Sequence, residues 1–202
     1  MDLDTAIKER RSIRKYLPQE IPDKLLRDVV ELGLWAPSGM NRQDWELMVV
    51  RGSKLEHLKE IVSKSKDYIL PHLQELFSEK IIKISLQVFK DFGGAPAVIL
   101  VYMPKEIIHY DRALDERGRF HLEFKRHSRL LSASALIQNL LLAAHSRGLG
   151  TCWMTGPLYM SEEINKFLGR ENKELVSLIT IGYPDQSPPA PPRKEDVVHW
   201  VE

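Results

Sequence analysis

The chain has 202 residues, 43% hydrophobic and 28% charged, which suits one domain long enough to bury a core. Its formal net charge of +1 speaks against a general nucleic-acid binder, whose binding face is strongly basic. One cysteine, Cys152, excludes an internal disulfide framework and any multi-cysteine metal site, and no apolar run reaches the ~20 residues of a membrane helix.

The N-terminus, Met1-Asp2-Leu3-Asp4, is acidic and lacks the apolar core of a signal peptide, so a cytoplasmic location is expected. Residues 3–11 read as a first helix, with Asp2 or Asp4 able to cap its start and Leu3, Ala6 and Ile7 as an apolar stripe. Its end is unusual: Arg10-Arg11-Ser12-Ile13-Arg14-Lys15 places four cations and a hydroxyl in six residues. Arginine forks match a phosphate, so Arg10, Arg11 and Ser12 are a candidate phosphate site, with Arg14 reaching a second acceptor on the same ligand. Cations also suit a helix C-terminus, which accounts for part of the cluster without any ligand.

Residues 22–35 read as a second helix, with Pro22 at its first position and Gly33 marking close approach of another element. Pro37-Ser38-Gly39 then makes a turn, and Asn41 and Gln43 alternate, a spacing that faces both amides one way toward a flat heterocycle if the segment is extended. Residues 44–51 read as a buried strand, and Ser53 as the cap of a third helix through residue 63. Residues 65–91 read as one or two peripheral helices, with Pro71 as a start or kink.

Gly93-Gly94 breaks the chain before a second buried strand, residues 95–102. Residues 103–126 are polar and mixed in charge, and read as a mobile lid with Tyr110, Phe120 and Phe124 as aromatic contacts. Residues 127–147 form the strongest helix, apolar nearly all round, with the small residues Ser132 to Ala135 suited to a subunit interface. Gly148-Leu149-Gly150 follows a helix and precedes a strand, the reverse of a dinucleotide-binding loop, so Gly148 reads as a C-cap. A third strand over 149–154 leads into the turn Thr155-Gly156-Pro157, and Ser161 opens a short helix ending near Gly169. The fourth strand covers 174–182. The proline-rich stretch from Pro184 to Pro192 is stiff and delivers Arg193 and Lys194 to a fixed place. Val197, Val198, Trp200 and Val201 call for burial, as an added strand on this subunit or a partner.

The seven histidines show no zinc spacing, and Gly-x-Ser-x-Gly and Walker loops are absent. Metal hydrolysis, acyl transfer and nucleotide hydrolysis therefore lack support, and no metal site is assigned. An anion clamp, an amide-rich patch and a buried scaffold remain, which suits a cofactor that carries its own reactivity.

Arg10-Arg11-Ser12-Ile13-Arg14, then Ala36-Pro37-Ser38-Gly39-Met40-Asn41, then residues 137–153, then Ile181-Gly182-Tyr183-Pro184 with Arg193-Lys194, together resemble the nitroreductase family of FMN proteins. The resemblance implies an α+β sandwich with a mixed central sheet flanked by helices, one domain over 1–202 with an extension from about 184. It implies a homodimer with FMN at the subunit interface. By position, Arg10, Arg11, Ser12 and Arg193, with Lys194, resemble the FMN phosphate clamp. Arg14 resembles the cation beside the flavin's pyrimidine edge, the one residue given a catalytic, purely electrostatic role. Pro37, Ser38, Gly39 and Asn41 resemble contacts reaching over from the partner, and Thr155, Gly156 and Pro157 the strand end beside the hydride-carrying nitrogen. Asp44 stands where the family often has proline, read as a surface change. The implied activity is ping-pong hydride transfer from NAD(P)H through FMN to a small aromatic acceptor, a nitroaromatic or quinone. Reductive dehalogenation, flavin cleavage and non-catalytic FMN binding are the alternatives.

Overall fold

The computed structural model describes residues 1–76, 78–105 and 115–202. The central sheet has four strands in the order β1-β2-β4-β3: β1 (Glu46–Arg51), β2 (Ala97–Pro104), β3 (Gly150–Met154) and β4 (Lys173–Gly182). All three ladders are antiparallel, so among the described residues the parallel component of the sheet is one bridge, between Ser12 and Thr151.

Alternation along β2 explains the layering. Ala97, Ile99 and Val101 face one side, where they join Leu136, Ile137 and Leu140 of the long helix α6 (Glu116–Ser146) and Leu26 and Val29 of α2 (Asp23–Leu34). Val98, Leu100 and Tyr102 face the other side. There they meet Leu55, Leu58 and Val62 of α3 (Gly52–Ser63), Val88 of α5 (Glu79–Asp91) and Ile164 of α7 (Ser161–Leu168). The shorter helices α1 (Leu3–Glu9) and α4 (Lys66–Leu76) complete the set. The described residues within 65–91 thus form two helices, with Pro71 inside the first.

Gly33 does admit a close neighbour: a Cβ there would lie 2.6 Å from Leu140 Cγ, so α2 and α6 pack too tightly at that point for any side chain. Asp2, not Asp4, caps α1, its carboxylate accepting from the Thr5 backbone N–H at 3.0 Å. Gly148 leaves α6 at φ +77°, and the Leu149 N–H reaches back to the Ala144 carbonyl at 3.0 Å.

Several expectations need correction. Ser53 makes no cap, because α3 already begins at Gly52, and Ser161 makes none for α7. Strand β1 is an edge strand with Val49 41% exposed, so it is not covered on both faces. The long helix starts at Glu116, where Asp115 accepts from the Gly118 N–H at 2.8 Å. Residues 116–126 are therefore helical, with Phe120 and Phe124 stacked at 6.2 Å on its exposed face. Tyr110 lies outside the described residues. Val197, Val198, Trp200 and Val201 are 60–94% exposed and form no strand on this chain.

Candidate functional site

The segment after α1 leaves the helix at Arg10 and runs against β3. The Ile13 N–H donates to the Thr151 carbonyl at 2.8 Å, and Tyr16 is fixed through its hydroxyl to Thr180 Oγ1 at 2.7 Å. Burial raises the pKa of the Tyr16 hydroxyl far above the ordinary phenol value, against the opposing hydrogen bond to Thr180, and keeps it protonated. Residues 12–16 are thus an ordered ribbon and not a frayed turn. Gly150 and Gly93 permit it: a Cβ on Gly150 would meet Ile13 Cγ1 at 2.7 Å, and one on Gly93 would strike the Arg14 carbonyl.

The C-terminal tail folds back along this ribbon. The Leu17 N–H donates to the Tyr183 carbonyl and the Asp185 N–H to the Lys15 carbonyl, both at 2.9 Å, while Gln186 Nε2 donates to the Ser12 carbonyl at 3.4 Å. Arg193 thereby comes close to Arg10. The Arg10 guanidinium has its pKa lowered, first by burial, then by the like charges of Arg11 and Arg193. A shallow cavity beside it is lined by Arg11, Ile13, His145, Gly150 and Gln186.

Arginines gathered to hold an anionic ligand should lack carboxylate partners of their own, and here they do. Among the described residues Arg10, Arg11, Arg14 and Arg193 form no ion pair, whereas neighbouring Lys15 is held by Asp185 at 2.5 Å. Arg11 Nε and His145 Nε2 are buried without a hydrogen-bond partner. His145 has its pKa lowered by burial and then by Arg10 and Arg11, against the opposing pull of Glu9. Such crowding of cations and orphaned donors is costly in isolation and is relieved by an anion. The cluster fits the phosphate of FMN on the chemistry of its donors. His145 is the residue that sequence reading passes over. Its place at the end of α6 gives it a structural excuse, and the signal of its role is tertiary, the arrival of α1 beside it.

The strand end lies further along β3. Thr151 to Thr155 covers about 13 Å of extended chain. Thr155 is exposed, Gly156 half-buried and Pro157 buried, and a Cβ on Gly156 would collide with Phe89 of α5 at 2.4 Å and approach Ile69 of α4 at 3.0 Å. The helices over 65–91 therefore wall this end of the strand. Cys152, between the two, is a buried thiol with its pKa raised by burial, against the opposing charges of Arg14 and Arg10. That makes it a packing residue and not a nucleophile. Arg14 is exposed, with Nη1 3.5 Å from the Ser12 carbonyl. Lys194 is exposed, and no contact draws it to the cluster.

Residues 37–41 sit elsewhere. The Gly39 N–H donates to Ser132 Oγ at 3.2 Å, and Ser38 Oγ accepts from the Gln43 N–H at 3.1 Å. The segment is not extended: Gly39–Asn41 is a 3-10 turn, and Gln43 Nε2 donates to Asn41 Oδ1 at 3.0 Å, so the two amides satisfy each other and are not set side by side through strand alternation. The loop is held in strain: Met40, Asn41 and Gln43 have φ of 55°, 53° and 49°, a region costly for non-glycine residues. Asp44 is not a surface change. Arg42 Nε and Arg129 Nε both lie 3.0 Å from Asp44 Oδ2, which ties the loop to α6. Ser132 and His145 are thirteen residues apart on that helix, about 20 Å at 1.5 Å per residue. One chain therefore keeps the Ser38–Gly39 loop away from the arginine cluster.

Among the described residues no group of three or more His, Cys, Asp or Glu is placed to hold a metal, and no helix is long and apolar enough to cross a membrane. The nitroreductase family profile matches residues 7–183. A 4-nitrobenzoate reductase of Nocardioides sp. is 30% identical over 202 residues, covering 92% of this chain and 82% of that protein. A BluB-like flavoprotein from Clostridium difficile superposes with a TM-score of 0.78 at 24% identity, covering all of both chains. The FMN-dependent nitroreductase NfnB of Mycobacterium smegmatis, solved with NADPH, superposes with a TM-score of 0.73 at 21% identity, covering 98% of this chain and 97% of that one. The chain belongs to the nitroreductase family of oxidoreductases.

Proposed function

We propose that the protein is an FMN-dependent oxidoreductase that takes reducing equivalents from NAD(P)H and passes them to a nitroaromatic or quinone. The observation that carries this reading is the convergence of Arg10, Arg11 and Arg193 without acidic partners. Bound FMN supplies the hydride carrier, so the chain needs no nucleophile or metal of its own. Arg10, Arg11 and Arg193, with Ser12 on the same ribbon, neutralise the phosphate, and exposed Lys194 adds only its charge from the tail. Arg14, exposed next to the Ser12 carbonyl, offers a positive charge where negative charge grows on reduction. Thr155, Gly156 and Pro157 present backbone at the strand end, under the cover of Phe89.

The position of Pro37, Ser38, Gly39 and Asn41 on the far part of α6 supports a homodimer in which this loop completes the partner's site. The exposed segment 197–201 supports the same assembly, since its apolar side chains have no cover on their own chain. The test is spectroscopic. The purified protein is expected to be yellow and to bleach on anaerobic addition of NADPH or NADH, regaining colour with a nitroaromatic or quinone. A colourless protein that rejects added FMN contradicts the reading.

A further inference from the structure

The cavity beside the arginines, of about 520 Å³, is bounded on its α6 side by His145. Arg11 lines it too, but part of its fork is spent on the end of α1: Nη1 donates to the Lys8 and Arg10 carbonyls, both at 2.7 Å. Arg11 Nε is buried without a partner, and His145 Nε2, in the lining of the same cavity, is in the same condition. Each orphan is costly, and a ligand acceptor on that side would relieve both. The charged groups around His145 are Glu9, Arg10 and Arg11 from the end of α1, with Met1 and its amino group at the exposed rim. Strand β3 brings Gly150 and the tail Gln186, both neutral. On the same helix end, Arg147 is turned to the Ala143 carbonyl and the Ser146 hydroxyl, each at 3.2 Å. Burial first, then Arg10 and Arg11, against the pull of Glu9, lower the pKa of His145, although the C-terminal end of α6 favours the cation. A phosphate dianion in the cavity reverses that balance, because it cancels the two arginines and attracts a third cation.

We propose, resting on the FMN reading above, that His145 is a direct ligand of the flavin phosphate, that it donates from Nε2 as the imidazolium, and that FMN binding therefore takes a proton into the cavity. Riboflavin, which lacks the phosphate, takes none. His145 thus couples FMN loading to pH over the range in which histidine titrates. Between its lowered value in the apoprotein and its raised value in the complex, falling pH tightens FMN binding. The phosphate itself gains a proton at its second pKa of ~6, so comparison with a variant at the same pH is needed to remove the ligand's own titration.

The test titrates apoprotein with FMN and with riboflavin across the histidine range, in wild type, His145→Gln and His145→Arg, and counts protons by calorimetry in buffers of different ionisation enthalpy. The ratio of the FMN Kd in His145→Gln to that in wild type should rise about tenfold as the pH falls from about 8 to about 6. His145→Arg should bind FMN tightly without that slope, and riboflavin should bind all three proteins within a few-fold of one another. At about pH 7 wild type should take up roughly half a proton with FMN, and His145→Gln close to none. A ratio that is flat with pH marks a neutral donor or a bystander and overturns the proposal. So does proton uptake that survives His145→Gln, which would belong to the amino group of Met1. If the variants do not fold, the imidazole resonances of the wild-type protein decide: one should titrate at higher pH in the FMN complex than in the riboflavin complex. No difference between the two complexes overturns the proposal. Riboflavin bound as tightly as FMN at every pH sinks the phosphate reading itself, whereas FMN bound far more tightly than riboflavin, with a flat variant ratio, spares that reading and removes His145 alone.

Discussion

Arg10 and Arg193, from opposite ends of the chain, lie close enough for the charge of one to depress the pKa of the other. The tail reaches that position along residues 12–17, through the Leu17–Tyr183 and Lys15–Asp185 contacts. Two cations are brought together at a cost, which a phosphate dianion reverses. Arg193→Gln should raise the Kd for FMN by about 10- to 100-fold, the range for losing a charge-assisted hydrogen bond, and leave riboflavin binding within a few-fold. Flavin fluorescence quenching of the apoprotein measures both. An equal loss for both ligands would place Arg193 outside the phosphate site.

The ~20 Å that α6 puts between the Gly39 loop and the arginine cluster predicts complementation between subunits. Arg10→Ala and Gly39→Val homodimers should each bind FMN poorly. A Cβ on Gly39 would lie 2.8 Å from Ser128 Oγ, so the valine displaces the loop. Mixed dimers, formed by co-expression with two affinity tags, should recover one strong FMN site per dimer, because one of the two sites then carries neither substitution. Mixed dimers without a strong site would show that each chain builds its site alone.

Asp44 pairs with two guanidiniums, accepting a hydrogen bond from Nε of the well-buried Arg129 and lying 3.0 Å from Nε of Arg42. Asp44→Asn should lower folding stability by about 1–3 kcal/mol, the usual cost of leaving charged donors without their acceptor, read as a shift of the urea midpoint with the m-value unchanged. A substitution within ±0.5 kcal/mol would mark Asp44 as the surface residue that its sequence suggests.

His145 supplies a pH dependence with a defined sign. Its pKa is lowered in the fold, so below the ordinary histidine value of ~6.5 the unfolded chain binds a proton that the folded one refuses. The apoprotein should therefore lose stability as the pH falls from about 6.5 toward the depressed folded value, and His145→Gln should flatten that part of the profile. FMN should partly restore wild-type stability there, since a phosphate beside His145 favours its charged form. Identical slopes for wild type and His145→Gln would remove His145 from the cluster's electrostatics.

The parts of this account that the sequence reveals are those governed by local rules. Strand β2 is legible because seven consecutive buried residues permit little else, and Gly33 is legible because a glycine inside an apolar helix face signals a close neighbour. The basic run at 10–15 shows at sight. The start of α6 at Glu116 is hidden, because residues 116–126 are polar and its apolar stripe begins only where the helix enters the core. Asp44 misleads because its partner, Arg129, is far along the chain, and ion pairs across such distances leave no periodic mark. The role of His145 is hidden for the same reason. The tail is half legible: its prolines announce stiffness, but only the fold shows what it lies along.

One titration bears most directly on the central claim, that the converging arginines hold a phosphate. Wild-type apoprotein is titrated with FMN and with riboflavin, which differ by that phosphate alone. The account predicts FMN binding at least 100-fold tighter, with an advantage that shrinks as salt rises from 50 mM to about 1 M. Equal affinity for the two flavins, at any salt, would contradict it.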